Sequence, residues 1–188
     1  IPLGRIVIRT LACEMPTWLV GASADFFVSV NLSVKELADV PLVDELLGGG
    51  LSPHLDRLIV EVTESLELQE SSEAERNLER LRAEGVRIAI DDFGAGFSNF
   101  TRLEHLRPSL IKIDRSLVRR AGSEKEGGVA FLTAATSVAA SLKCDVVAEG
   151  VETQAEAEVV QLLGIAYVQG FRYGKPGPIE EFRPEVVR

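Results

Sequence analysis

Six short apolar runs in this sequence close on a polar side chain: Asn31, Glu61, Asp91 followed by Asp92, Lys112, Glu149 and Gln169. Carboxylates gathered at one place repel, and they stay ionised together only with positive charge among them. Carboxylate and amide oxygens suit a hard divalent cation, Mg²⁺ or Mn²⁺. His54 and His105 lie outside every run end and form no zinc pattern. The adjacent pair Asp91 and Asp92 is placed to reach two cations. A two-metal centre clamps the attacking and leaving oxygens of a phosphodiester and supplies hydroxide near neutral pH. Each residue taken singly has an ordinary use. Asp92 would cap a helix, Lys112 would neutralise Asp114 or Glu61, and Gln169 would be a strand-end hydrogen bonder. Six separate runs ending alike favour a site.

The elements that would position these groups follow from the runs themselves. Phe26 to Ser33, Arg57 to Ser65, Val86 to Phe93, Leu110 to Ser116, Cys144 to Glu152 and Ala166 to Phe171 are rich in Val and Ile, as buried strands are. Side chains alternate across a strand, so Glu61 shares a face with Ile59 and Thr63, Asp91 with Ala89, and Lys112 with Asp114, each opposite an apolar face. Helical patterns lie between the runs. Ser72 with Glu75 opens one that Gly85 closes, and Thr153 with Glu156 opens one that Gly164 closes. Strand alternating with helix predicts parallel strands with crossover helices. A doubly wound sheet would bury the polar face at several kcal/mol per group, whereas a barrel brings those groups to one open rim. The fold class is therefore α/β, a (β/α)8 TIM-like barrel with six of its usual eight strands in the chain.

Composition agrees with a soluble globular domain: 188 residues, 46% apolar and 26% charged. One domain over residues 1–188 is the expectation, since no linker or low-complexity tract divides it. A net charge of −9 argues against a nucleic-acid polymer as partner. Cys13 and Cys144 suggest neither a disulfide framework nor a zinc site, and a reducing cytoplasm fits. No run approaches the roughly 18 apolar residues of a membrane span. The chain starts at Ile1 rather than Met, which reads as a segment whose natural start lies upstream. Elsewhere, Glu73 to Glu84 is a solvated helix face and Gly48 to Gly50 a loop.

The stretches VSVNLS, EVTES, DDFGAGFSNF, IKIDRS, VVAEGVET and VQGFRYGKP occur in the order and at the spacing of one family, and the sequence resembles the EAL-domain phosphodiesterases from Ile1 to about Phe182. The resemblance implies an EAL-type barrel holding two Mg²⁺ or Mn²⁺ ions and hydrolysing the bacterial second messenger cyclic di-GMP to linear pGpG. By the same resemblance, Asn31, Glu61 and Asp91 ligate one metal, and Asp91, Asp92 and Glu149 serve the other. Lys112 holds the nucleophilic water, Glu149 also acts as base, Glu64 braces the loop after Asp92, and Asn31, Asp92 and Gln169 meet the substrate. It also implies an upstream sensory or GGDEF domain, a cytoplasmic location in a parent that can be membrane-anchored, and a homodimer. The Glu-Ala-Leu motif that names the family is not in the chain, and IPLGRIVIRTLACEMPTW resembles the helix that follows it. The domain would thus lack its first two strands and one metal carboxylate. The loop carries Ala95, Phe97 and Asn99 where the family more often has Thr, Tyr and Ser.

Two other functions compete. A receptor that binds cyclic di-GMP without cutting it would have no use for both Lys112 and Glu149. A barrel enzyme using Lys112 as base or Schiff-base nucleophile leaves Asn31 and the Asp91–Asp92 pair unexplained.

Overall fold

In the computed structural model, β1 and β4 each give way within two residues to a polar side chain that caps the next helix. The structure describes residues 3–63, 72–95, 103, 105–123 and 127–178. Among them are the strands β1 Val28–Asn31, β2 Leu58–Thr63, β3 Arg87–Phe93, β4 Leu110–Ile113, β5 Asp145–Ala148 and β6 Tyr167–Val168. The helices are α1 Leu3–Trp18, α2 Val34–Leu37, α3 Val40–Leu47, α4 Ser72–Ala83, α5 Arg115–Gly122, α6 Gly128–Ser141 and α7 Gln154–Leu162, with a 3-10 run over Gly49–Arg57. The strands are shorter than the apolar runs that predict them. The last residues of those runs are spent on caps: Ser33 caps α2, and Asp114 caps α5 by accepting the Ser116 N–H at 2.9 Å.

The chain divides into two compact units, Ile1–Phe93 with Ser98–Ile111 and Gly94–Phe97 with Lys112–Arg188, so that one boundary falls inside β4. In the first unit the strand order is β1-β2-β3-β4. Here β1 and β2 run parallel with Asn31 opposite Glu61, and β2 and β3 run parallel with Thr63 opposite Asp91. Burial of both faces explains the near-continuous apolar runs, since β2 is buried from Leu58 to Val62. Helix α1 turns Ile8, Leu11 and Met15 inward at helical spacing. Asn77 of α4, fully buried, donates to the Leu37 carbonyl at 2.8 Å and ties α4 to the end of α2. Gly85 closes α4 at φ +93°, as its position in the sequence requires. Glu75, Glu79 and Glu84 are exposed, in keeping with a solvated face.

One expectation is corrected here. Gly48 to Gly50 is not wholly loop, because Gly49 and Gly50 begin the 3-10 run. The reason is close approach: a Cβ on Gly50 would lie 2.1 Å from the Ala12 carbonyl oxygen of α1, so only glycine lets this segment pack there.

In the second unit the order is β4-β5-β6, with β5 and β6 parallel and Val147 opposite Tyr167. Thr153 and Glu156 form the expected capping box on α7, and Gly164 ends that helix at φ +69°. Both cysteines are free thiols.

Candidate active site at the strand ends

The first unit contributes oxygen donors from neighbouring strands. Asn31 is the last residue of β1 because Ser33 and Glu36 form a capping box that starts α2 two residues later. Its side-chain amide donates to Glu61 Oε2 at 3.3 Å across the β1–β2 pair. Glu61 is buried at 5% exposure, whereas Asn31 is exposed.

Asp91 and Asp92 pose a geometric problem, since consecutive strand residues face opposite ways. The backbone resolves it at Asp92, whose φ of +57° lies in the left-handed region that aspartate tolerates. One carboxylate oxygen of Asp91 therefore lies within 4.8 Å of one from Asp92. Holding a non-glycine residue there costs about 1 kcal/mol or more, a strain that clusters at functional sites.

The second unit contributes a charge pair and the exposed loop that carries Gln169. Lys112 Nζ lies 2.8 Å from Glu149 Oε1, with side-chain exposures of 8% and 15%. Asp114, the residue that shares Lys112's face by parity, is occupied as the α5 cap. Lys112 thus pairs with a carboxylate from the next strand over, whose backbone N–H donates to the Ile113 carbonyl at 3.0 Å. Gln169 is exposed, with its N–H on the Ala148 carbonyl at 2.9 Å and its own carbonyl accepting the Val151 N–H at 3.0 Å. Glu64 lies outside the described residues. His54 sits in the 3-10 run and His105 is exposed, away from these groups in the sequence and in neither strand end.

Reading the sequence alone left out two close packings that hold this loop. Gly150, at φ +63°, lies against Arg115, where a Cβ would come within 2.4 Å of Arg115 Cβ. Gly170 lies against Val151, where a Cβ would come 2.1 Å from the carbonyl oxygen. The glycine after Glu149 and the glycine after Gln169 were the available signals. The donors are oxygens, with a lysine beside one of them, and they fit a hard divalent cation rather than zinc.

Fold and strand ends together define a parallel α/β domain that carries oxygen donors and one lysine where its strands finish. The EAL-domain family model matches residues 1–176, and the chain belongs to that family. Six parallel strands of the family's TIM-like α/β barrel fall among the described residues. The chain is 36% identical over its whole length to a bifunctional diguanylate cyclase/cyclic di-GMP phosphodiesterase, MucR of Pseudomonas aeruginosa, of which it covers 27%. Among solved structures it is similar to the PaMucR phosphodiesterase in complex with c-di-GMP, with a TM-score of 0.84, 37% identity, and coverage of 95% of this chain and 73% of that one. It is also similar to a manganese/cyclic di-GMP complex of Klebsiella pneumoniae BlrP1, with a TM-score of 0.75, 31% identity, and coverage of 92% and 45%. The chain spans about a quarter of the length of the curated relatives it matches.

Proposed function

We propose that this chain carries the catalytic machinery of a divalent-metal-dependent phosphodiesterase that hydrolyses cyclic di-GMP to linear pGpG. The observation that carries the reading is the Lys112–Glu149 pair at 2.8 Å, a positioned cation beside a positioned base at the end of a strand series otherwise supplying oxygen donors. Its similarity to a phosphodiesterase solved with c-di-GMP and to a manganese complex supports the substrate and metal class. Residues 1–188 would then form one EAL-type domain. The parent would be a cytoplasmic signalling protein with a sensory or GGDEF domain upstream, and it would act as a homodimer. No described helix is long and apolar enough to cross a membrane.

In this reading Asn31, Glu61 and Asp91 would hold one Mg²⁺ or Mn²⁺, and Asp91, Asp92 and Glu149 would serve a second. A metal held there would supply charge that acidifies a water and stabilises a leaving oxygen. Lys112 donates to that water and orients it. Glu149 takes its proton as the water oxygen bonds to phosphorus and the P–O3′ bond breaks, and the departing oxygen takes a proton from solvent. Gln169, with Asn31 and Asp92, meets the substrate, and Glu64 braces the loop after Asp92.

The test is cyclic di-GMP turnover by the full-length protein with and without Mn²⁺. K112A and E149Q should each lower turnover by about 10²-fold or more. Substrate affinity should survive K112A better than E149Q. Normal turnover by K112A would reduce the lysine to an internal counter-ion. Tight binding without turnover by the wild type would make the protein a receptor.

A further inference from the structure

Glu149 opens a five-residue connection, residues 149–153, that runs from the end of β5 to the start of α7. Two of its N–H groups, those of Glu152 and Thr153, donate to one atom, Glu156 Oε2, at 2.8 and 2.9 Å. On the near side, the Glu149 N–H donates to the Ile113 carbonyl and Gly150, at positive φ, packs against Arg115. Glu156 supplies the restraint on the far side of the connection, at residues 152 and 153.

The hold extends further. Val151, inside the same connection, donates to the Gln169 carbonyl and accepts the Arg172 N–H at 3.2 Å. Residues 152 and 153, held by Glu156, thus adjoin the residue on which the Gln169 backbone rests. Glu156 is itself well constrained. It is buried at 6% exposure, and α5 presses on it through Gly122, where a Cβ would lie 2.6 Å from Glu156 Cγ. Burial, the largest influence, raises its carboxyl, but the Glu152 and Thr153 N–H groups, the Thr153 hydroxyl and Arg119 outweigh it and hold the carboxyl below its ordinary value. The side chain stays ionised in a single setting, and charge-assisted bonds are about twice as strong as neutral ones.

We infer that Glu156 is a positioning residue for Glu149 and Gln169, acting through the backbone of residues 149–153 rather than only capping α7. The inference rests on the catalytic reading of Glu149 and extends it to a residue that touches neither substrate nor reacting atoms. A misplacement of about 1 Å at a reacting group can cost 10²-fold in rate.

The experiment compares E156A, E156Q and T153A in the full-length protein, by amide hydrogen exchange and by cyclic di-GMP kinetics at saturating Mn²⁺. T153A removes the hydroxyl that caps the Glu156 N–H at 3.3 Å yet leaves the carboxylate with its two loop donors, so it serves as the capping control. For E156A, exchange in residues 149–153 should rise by about tenfold or more while residues 145–148 stay protected. Its kcat should fall by about 10- to 100-fold with KM changed by less than about threefold. E156Q keeps an acceptor and should recover to within about fivefold. T153A should lose comparable thermal stability while keeping kcat within about twofold. Equal losses of kcat in T153A and E156A, or unchanged exchange in E156A, would overturn the inference. An inactive wild type would defeat the catalytic reading instead, and the exchange pattern would still decide whether Glu156 holds the loop.

Discussion

Breaking the Lys112–Glu149 pair without disturbing its packing should cost the fold several kcal/mol. K112M keeps most of the aliphatic stem and removes the charge, so the loss isolates electrostatics. Unit charges about 4 Å apart attract by ~4 kcal/mol at an effective dielectric near 20. Removing one member of a buried pair typically costs about 3–5 kcal/mol, because the other is left buried and uncompensated. Glu149 keeps 15% exposure, which lets water share the burden and places the expectation near ~3 kcal/mol. For a domain of this size that lowers Tm by about 6–12 °C. E149Q should cost less, since an amide oxygen still accepts from the ammonium. K112M/E149Q should recover about 2 kcal/mol of the summed single losses. Urea unfolding of wild type, both singles and the double would close the cycle. A K112M loss under about 0.5 kcal/mol, or coupling near zero, would refute the claim that burial makes this pair strong.

Millimolar Mn²⁺ should raise the melting temperature of the wild type by mass action, and Asp91→Asn should abolish most of that shift in the same thermal scan. Because Glu156 is held below its ordinary value of about 4.5, its stabilising contribution is complete above that pH and is lost as pH falls through the lower folded value. Acid unfolding curves should therefore show E156Q less stable than wild type near neutrality, with the gap narrowing below about pH 4.5. Burial, and then the charge of Asp145, push the Cys144 thiol up to about 11, whereas Cys13 is exposed. Alkylation at pH 8 followed by peptide mass spectrometry should modify Cys13 first, with Cys144 about tenfold slower or more.

The sequence alone determined what depends on local order along the chain. Alternation set Glu61 and Asp91 opposite apolar neighbours, and the Thr153–Glu156 spacing and Gly85 and Gly164 marked helix ends that the structure bears out. Ser33 with Glu36 carried the same capping signal, unused in the reading, and it is what ends β1 at Asn31. Periodicity and caps are properties of neighbouring residues, so one sequence suffices to see them. Tertiary structure decided which groups meet. Parity made Asp114 a natural partner for Lys112, but Asp114 went to a helix cap and Lys112 found Glu149, 37 positions on in the sequence. The close contacts reserved by Gly50, Gly122 and Gly170 likewise depend on distant segments packing together. Such contacts exist only once the chain has folded, because nothing in a strand's own pattern records what its neighbour presents.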